Sequence, residues 1–329
     1  MVELRTRDVF TAMQPDLLRV AQRVEDVARV DYPFVSHLVL DLVRAGGKRL
    51  RPLVLLLAAR AYEPDPEGLI TAAAGVELLH TASLVHDDTV DRAALRRGKP
   101  TLNAVLSSGA VILLGDYLFA QSAILAAATN NPRVVGIFAS ALGDMCDGQL
   151  REMFYAHQLD QSRDDYEKRI YGKTAALFAG SAEMGALIGN APEPHVRALR
   201  AYGSDIGMAF QIVDDVLDLR EGEEQTGKPA GQDLRQGTVT LPTMLYAAQL
   251  AAESPEARRL EAIIGGDNDD EADITALIAD VRTSGALDTA LDVATGYAER
   301  AKVNAAIVPD PETRGMLEQL ADLAWNRQT

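Results

Sequence analysis

The chain has 329 residues, of which 47% are apolar, and its 32 basic and 48 acidic side chains give a net charge of −16 at pH 7. This composition excludes a disordered chain, and the acidic balance argues against a nucleic-acid partner, whose binding surface would be basic. A single cysteine, Cys146, excludes an internal disulfide framework and predicts a reducing, cytoplasmic location. Because aromatic residues supply only 5%, the core must consist of alanine and aliphatic residues, which favours helices.

The sequence shows no segment suited to stable membrane insertion. Charged residues are mixed into residues 1–10, where a signal peptide would carry an apolar stretch. The most apolar region, residues 104–127, is interrupted by Asp116 and Gln121. We therefore expect no apolar run as long as the ~18 residues of a membrane span.

Helical periodicity dominates the chain, and no run alternates as a half-buried strand would. Glycines at 46 and 47 end the first predicted helix, Pro52 opens the next, and Ser162 with Asp165 resembles a capping box. The predicted helices are 35–43, 53–62, 69–91, 102–127, 134–157, 164–188 and 194–219, with three or four shorter ones from 241 onwards. Long helices with short connections predict one all-α domain over residues 1–329, a large antiparallel bundle.

Two short acidic motifs close two of these helices: the first acidic motif is Asp87, Asp88 and Asp91, and the second is Asp214, Asp215 and Asp218. The outer aspartates of each motif are four residues apart, which puts their Cβ atoms about 5–6 Å apart on one helix face. Mg²⁺ takes one or two such carboxylates and completes its shell with water and phosphate oxygens. The alternative is a solvated charged face, but the apolar residues before each motif make unbalanced carboxylates costly there. We predict that the two motifs face each other and hold a diphosphate through metal.

Basic residues occur in short groups beside these motifs. They are Lys48, Arg49 and Arg51 next to glycines, Arg96, Arg97 and Lys99 after the first motif, Lys173 beside Thr174, and Lys228 after the second motif. Simple ion pairing could explain any one group, although surface ion pairs contribute only about 0–1 kcal/mol. Arginine forks and glycine-exposed backbone amides suit phosphate oxygens. Together the groups favour two diphosphate pockets.

A series of strings resembles the trans-isoprenyl (polyprenyl) diphosphate synthase family. They are GGKRLRP from Gly46, LLHTASLVHDDTVDRAALRRGKPT from Leu78, GDYLFAQ from Gly115, GQL from Gly148, GKTAALF from Gly172, FQIVDDVLDL from Phe210 and GKPAGQDLRQGTVTLP from Gly227. The resemblance implies an isoprenoid-synthase-type helical bundle with a central substrate cavity, usually a homodimer. It implies a prenyltransferase that condenses isopentenyl diphosphate head-to-tail with an allylic diphosphate and releases pyrophosphate.

The resemblance also implies residue roles at the matching positions. Isopentenyl diphosphate would be held by Lys48, Arg51, His80 and Arg97, and the allylic diphosphate by Arg96, Lys173, Thr174, Gln211 and Lys228. Metal would be bound by Asp87, Asp91 and Asp214, with support from Asp88, Asp215 and Asp218. The cofactor would be Mg²⁺, roughly three ions per active site. Lys173, Lys228, Asp87 and Asp214 would act directly in catalysis. Many relatives carry a lysine where this chain has Thr238, which leaves one phosphate contact open.

The residues before the first motif predict a long product. Ala82 and Ser83, five and four positions before Asp87, are small, whereas relatives that make C15 products often carry aromatic residues there. One helical turn rises about 5.4 Å, comparable to one isoprene unit. A product of C20 or longer is therefore expected. Gly75 would widen the opening further, and the candidate floor residues are Leu79, Tyr117, Phe119 and Met145.

Two alternatives of other classes stay open at this point. A class I terpene cyclase would share the first acidic motif but should differ at the second motif and lack the group at Lys48 and Arg51. A non-catalytic or regulatory subunit of a heteromeric synthase should have lost acidic residues, and all six aspartates are present. His86 could be read as a phosphohydrolase metal ligand, but we interpret it as a structural or supporting residue.

Overall fold

The structure is a computed structural model that describes residues 2–27, 29–44, 47–91, 93–96, 99–220 and 230–326. Its contacts divide the chain into two compact units. Unit 1 comprises residues 1–142, 177–203 and 304–320, and unit 2 comprises residues 143–176, 204–303 and 321–329. The expectation of a single domain over residues 1–329 stays a prediction.

The first half of the chain is helical from its beginning. The helices are α1 (Val2–Val27), α2 (Pro33–Arg44), α3 (Leu50–Arg60), α4 (Pro66–Val90), α5 (Ser108–Ala128) and α6 (Pro132–Tyr155). Sequence reasoning missed α1, which carries Pro15 inside it. Four of its described side chains are apolar and buried, Val9, Met13, Val20 and Val24, and they lie on one side of the helix. Packing of that side therefore stabilises a helix that its charged sequence does not predict.

The helix predicted to begin at residue 102 begins later in the structure, at Ser108. Residues 102–107, expected to open a long helix, instead form a 3₁₀ turn (Leu102–Ala104) and a further turn at 105–106, and Ser107 is the extended N-cap of α5. A short antiparallel ribbon precedes them, made by β1 (Leu95–Arg96) and β2 (Lys99–Pro100). No other strand occurs in the part of the chain that the structure describes. The ribbon follows the first acidic motif directly.

The predicted helix 164–188 is interrupted in its middle. It consists of α7 (Arg163–Ile170), a π-helical turn (Tyr171–Ala175) and α8 (Ala176–Ile188). The predicted cap is confirmed, because the Ser162 hydroxyl accepts the Asp165 backbone N–H at 3.1 Å. The amide of Ala176 donates to the carbonyl of Tyr171, five residues back, which defines the π turn. Such turns often mark functional sites.

The rest of the described chain contains α9 (Glu193–Arg220), α10 (Gln232–Arg235), α11 (Leu241–Ala247), α12 (Pro255–Gly265), α13 (Glu271–Thr283), α14 (Ala286–Ala305) and α15 (Pro311–Trp325). The expectation of three or four short helices after 241 was wrong, because five are present and α14 has 20 residues. The connection before α14 is short because Gly285 adopts φ 80° and reverses the chain.

Each unit has an aliphatic core, and the all-α fold class is confirmed. In unit 1, residues 52–59 of α3 and 69–79 of α4 are buried continuously. In unit 2, apolar residues of α7, α9 and α10–α14 pack into one cluster that includes Tyr166, Ile212, Val216, Leu277 and Val281. These cores support the acidic ends of α4 and α9.

Two described helices, α4 and α5, are long and apolar enough to cross a membrane by length and composition alone. The apolar window of α4 is 78% buried inside the protein, whereas that of α5 is 39% buried. Helix α4 is thus a core helix. Helix α5 instead exposes large apolar side chains, among them Leu113.

Candidate active site

The first acidic motif lies at the C-terminal end of α4. The helix begins at Asp65, whose carboxylate accepts the backbone N–H groups of Glu67 and Gly68, and it ends at Asp91, the C-cap residue. Asp88 is buried, Asp87 is half-buried and Asp91 is exposed. Carboxylates are unfavourable at this end of a helix because the backbone dipole is negative there. A cation close to the motif would therefore stabilise it.

Arg96 of β1 supplies one of these cations within unit 1. Its Nε and Nη2 atoms both donate to Oδ1 of Asp88 at 2.8 Å. The ribbon thus holds Arg96 against the buried middle aspartate of the motif. Asp88 is accordingly engaged by the protein, in line with the supporting role that the sequence predicted.

His86 packs against α5. Its Nε2 lies 3.1 Å from the carbonyl oxygen of Ile112, and its ring meets Phe119 edge-on at 5.0 Å between centroids. The space for the ring exists because residue 115 is glycine, since a Cβ there would lie 2.1 Å from Nε2 of His86. This contact supports the structural interpretation of His86 and explains the glycine of the GDYLFAQ string.

The residues predicted to hold isopentenyl diphosphate begin just before α3. Lys48 is exposed, and Arg49 caps α3 with a left-handed backbone (φ 49°). That conformation costs a non-glycine residue about 1–2 kcal/mol. The guanidinium of Arg51 lies 4.6 Å from the centre of the Phe178 ring, a cation–π contact. His80 is half-buried on α4, in the same unit.

The second acidic motif lies in the last turns of α9, in unit 2. Asp215 is buried, and it accepts hydrogen bonds from the Tyr166 hydroxyl at 2.7 Å and from Nε2 of Gln211 at 2.9 Å. Burial raises the pKa of Asp215 to about 7, and the two hydrogen bonds oppose that rise. The middle aspartate of this motif is therefore also held by the protein.

Asp218 binds the first residues of α10. Its two carboxylate oxygens accept the backbone N–H groups of Gln232 at 3.0 Å and Asp233 at 3.1 Å. Desolvation, followed by the charge of Asp218, raises the pKa of Asp233 well above its usual range. Asp233 is thus an acidic neighbour of the motif that sequence reasoning missed.

Lys173 and Thr174 project from the π-helical turn in unit 2. Lys173 forms a salt bridge with Glu152 of α6, and the Thr174 hydroxyl donates to Oε1 of Gln211 at 2.6 Å. The turn fits closely against α6 at Gly148, where a Cβ would lie 2.2 Å from the backbone nitrogen of Lys173. A glycine contact between two backbones therefore sets the position of both side chains.

The sequence contained weak signals for the two acidic residues that were missed. Glu152 follows the GQL string by two residues, and Asp233 lies inside the GKPAGQDLRQGTVTLP string. Neither forms an i, i+4 aspartate pair, so spacing alone did not single them out. Arg97 and Lys228, two of the predicted diphosphate ligands, lie outside the described residues.

The chain-length residues Ala82 and Ser83 lie on α4, and their role in setting product length stays a prediction. Ala82 is fully buried, and the half-buried Ser83 donates its hydroxyl to the carbonyl of His80 at 2.8 Å. The idea that Gly75 widens the opening was wrong, because a Cβ there would already lie 3.3 Å from Cβ of Leu125 on α5. The Tyr117 hydroxyl donates to the carbonyl of Arg29 at 2.8 Å, and the role of Tyr117 as a floor residue stays a prediction.

The donor set suits a hard divalent cation of the magnesium type. Among the described residues, no three His, Cys, Asp or Glu side chains converge as a closed metal cage. Each motif instead offers carboxylates from one helix end, with Asp88, Asp215 and Asp218 already engaged by the protein. Mg²⁺ is usually held by one or two carboxylates together with water and substrate phosphates. The residues present therefore fit that ion.

Comparison with known proteins now decides the family. The polyprenyl synthetase family model matches residues 33–281. The heptaprenyl diphosphate synthase component 2 of Geobacillus stearothermophilus is 38% identical over 97% of this chain and 98% of its own. The chain belongs to the polyprenyl synthetase family.

Other polyprenyl synthetases agree in sequence and in structure. The nonaprenyl diphosphate synthase of Mycobacterium tuberculosis is 35% identical over 99% of this chain and 96% of its own. A polyprenyl synthase from Caulobacter crescentus, solved with calcium and isoprenyl diphosphate, superposes with a TM-score of 0.93 at 37% identity, covering 100% of this chain and 98% of that one. As a family member the chain is a prenyltransferase, and a terpene cyclase or a non-catalytic subunit is not favoured.

Proposed function

We propose that this polyprenyl synthetase condenses isopentenyl diphosphate head-to-tail with an allylic diphosphate and makes a product of C20 or longer. The observation that carries the proposal is that each unit holds one complete acidic motif whose middle aspartate is bound by the protein's own side chains. Arg96 contacts Asp88 in unit 1, and in unit 2 Thr174, the neighbour of Lys173, is linked through Gln211 to Asp215. Both acidic motifs would serve the same reaction.

The residue roles follow the two units. In unit 1, Lys48, Arg51 and His80 would bind isopentenyl diphosphate, together with Arg97. Arg96 in unit 1 and Lys173, Thr174 and Gln211 in unit 2 would bind the allylic diphosphate, together with Lys228. Asp87, Asp91 and Asp214 would hold Mg²⁺, roughly three ions in all, and bound Mg²⁺ would neutralise charge that grows on the leaving pyrophosphate.

The chemistry asks the protein for placement and charge, not for a nucleophile. Breaking the allylic C1–O bond leaves a carbocation and puts negative charge on the pyrophosphate. Lys173 and Arg96, which pair with Glu152 and Asp88 in the structure, would stabilise that charge as it forms. The double bond of isopentenyl diphosphate then forms the new C–C bond, and the pyrophosphate takes the proton that is lost.

The product-length prediction can be tested directly. Labelled isopentenyl diphosphate is incubated with the protein, Mg²⁺ and a C10, C15 or C20 allylic diphosphate, and the products are sized by chromatography. We expect products of C20 or longer. Products that stop at C15 from the C10 primer would contradict the assignment of Ala82 and Ser83 as an open wall.

Two substitutions extend this experiment. Ala82→Phe and Ser83→Phe place an aromatic ring one turn before Asp87, and both should shorten the main product by one or more isoprene units. Ser83 is half-buried whereas Ala82 is fully buried, so Ser83→Phe carries the smaller risk of overpacking. If a folded Ser83→Phe variant made products of unchanged length, Ser83 would not line the product cavity.

We further propose that the protein is a cytoplasmic homodimer whose interface includes α5. The helix exposes Ile112, Leu113 and Ile124, and Leu113 is 69% exposed. Exposed apolar residues grouped on one helix are typical of a surface that a binding partner covers. A second copy fits this face because it carries the same largely apolar stripe, in which Asp116 is the one charged residue.

Substitution of Leu113 tests the homodimer. Leu113→Glu should convert the dimer to monomer, because a buried unpaired carboxylate is costly at an interface, and light scattering coupled to size exclusion gives the mass. Val303→Glu is the matched control, since Val303 of α14 is 75% exposed, and it should leave the mass unchanged. A monomeric parent protein, or co-purification only with a different chain, would contradict the homodimer.

A further inference from the structure

Tyr166 is a fully buried side chain for which the proposed reaction has no direct use. It lies on α7 within the core of unit 2 and is among the largest side chains with no exposed surface. Its hydroxyl donates to Oδ2 of Asp215 at 2.7 Å. Buried tyrosines normally place the hydroxyl on one fixed partner, and here that partner is the middle residue of the second acidic motif.

A chain of hydrogen bonds leads from Tyr166 to the proposed allylic site. The other carboxylate oxygen of Asp215, Oδ1, accepts from Nε2 of Gln211 at 2.9 Å. Because the amide nitrogen is the donor group of Gln211, this contact fixes which way the Gln211 amide faces. Oε1 of Gln211 consequently faces Thr174 and accepts its hydroxyl at 2.6 Å. The orientation of both diphosphate-binding side chains therefore depends on where Asp215 is held.

The ring of Tyr166 is itself fixed from a second side. The guanidinium carbon of Arg169 lies 5.5 Å from the ring centre. Arg169 is buried and donates to the carbonyl of Val239 at 2.6 Å and to Oε1 of Gln161 at 3.3 Å. The tyrosine therefore cannot follow Asp215 if the carboxylate moves. It acts as a fixed point.

We propose that Tyr166 is a positioning residue for the allylic diphosphate, acting through Asp215 on Gln211 and Thr174. This inference rests on the proposed function, because it assigns those two residues to the allylic substrate. Loss of the hydroxyl leaves Oδ2 of Asp215 without this donor, which frees the carboxylate to rotate and the Gln211 amide to flip. Removing a supporting hydrogen bond of this kind typically costs about 10–100-fold in affinity or activity.

The test compares Tyr166→Phe with Tyr202→Phe. Tyr202 is also fully buried and donates a hydrogen bond to the carbonyl of Leu317 at 2.7 Å, a residue without a proposed role in substrate binding. Both variants lose one buried hydroxyl and should show similar melting temperatures. We expect Tyr166→Phe to raise KM for the allylic diphosphate about tenfold or more, with KM for isopentenyl diphosphate unchanged, and Tyr202→Phe to leave both unchanged.

A binding measurement provides a readout that does not depend on turnover. Calorimetry with a non-reactive allylic thiolodiphosphate and Mg²⁺ should give a Kd raised about tenfold in Tyr166→Phe and unaltered in Tyr202→Phe. Thr174→Val, at the other end of the network, should show the same selective loss. In an Asp215→Asn background, Tyr166→Phe should add little, because both changes break one connection.

The possible results separate this inference from the proposed function. If the parent protein forms no prenyl product with Mg²⁺, the proposed function fails. If the parent protein is active but Tyr166→Phe and Thr174→Val bind the analogue as the parent does, the positioning role is wrong. Equal loss of affinity for both substrates would also overturn it, because the effect would then be general.

Discussion

Asp87→Asn is expected to lower kcat by at least ~10²-fold while the protein stays folded. The substitution keeps the shape of the side chain and removes one of the carboxylates proposed to hold Mg²⁺ at the end of α4. Asp87 is half-buried beside Asp88, which Arg96 already engages, so Asp88 is not available to replace the lost carboxylate. The measurement is steady-state kinetics over a range of Mg²⁺ concentrations.

Asp41→Asn is the control for this experiment. Asp41 lies on α2, is exposed and pairs with His37 at 3.4 Å, a surface pair of about 0–1 kcal/mol. Its removal should leave kcat within about twofold of the parent. An Asp87→Asn protein with normal kcat at low Mg²⁺ would contradict the role of the first acidic motif.

Gly148→Ala is expected to damage both stability and turnover. The added Cβ would lie 2.2 Å from the nitrogen of Lys173 and 2.7 Å from the carbonyl carbon of Gly172, so backbone must move. Overpacking of this kind costs about 1–3 kcal/mol, and a shift of ~1 Å at a catalytic group can cost about 10²-fold in rate. Thermal unfolding and kcat should therefore both fall, and structure determination should show a displaced π turn.

The same helix offers the matched control, Gly143→Ala. A Cβ at Gly143 meets no atom within 4 Å, and alanine is favoured over glycine inside a helix by about 0.5–1 kcal/mol. Gly143→Ala should therefore hold or raise the melting temperature and retain activity. If Gly148→Ala behaved in the same way, the close backbone contact would not set the position of Lys173.

Much of the helical fold could be predicted because the apolar periodicity and the caps are local. Ser162 and Asp165 define the start of α7 wherever the helix packs. Helix α1 could not be predicted, because its stability comes from burying Val9, Met13, Val20 and Val24. The π turn was also hidden, since its cause is the contact of Gly148 with a segment more than twenty residues away.

The residues of the candidate site likewise include some that the sequence predicts and some that it does not. The aspartates and most cations stand in recognisable spacings, so sequence alone could select them. Tyr166, Glu152 and Asp233 gain their roles only through neighbours from other helices. The facing of the two motifs stays a prediction, and so do the roles of Arg97 and Lys228.

The engagement of Asp88, Asp215 and Asp218 by the protein's own donors separates folding from ion loading. Arg96, Tyr166 with Gln211, and the backbone at the start of α10 already satisfy these carboxylates. Proteins that fold around their ion lose their structure when it is withdrawn. Because protein donors already hold these acidic ends, we expect the chain to fold without the ion, and the divalent ion would then bind and leave together with each diphosphate.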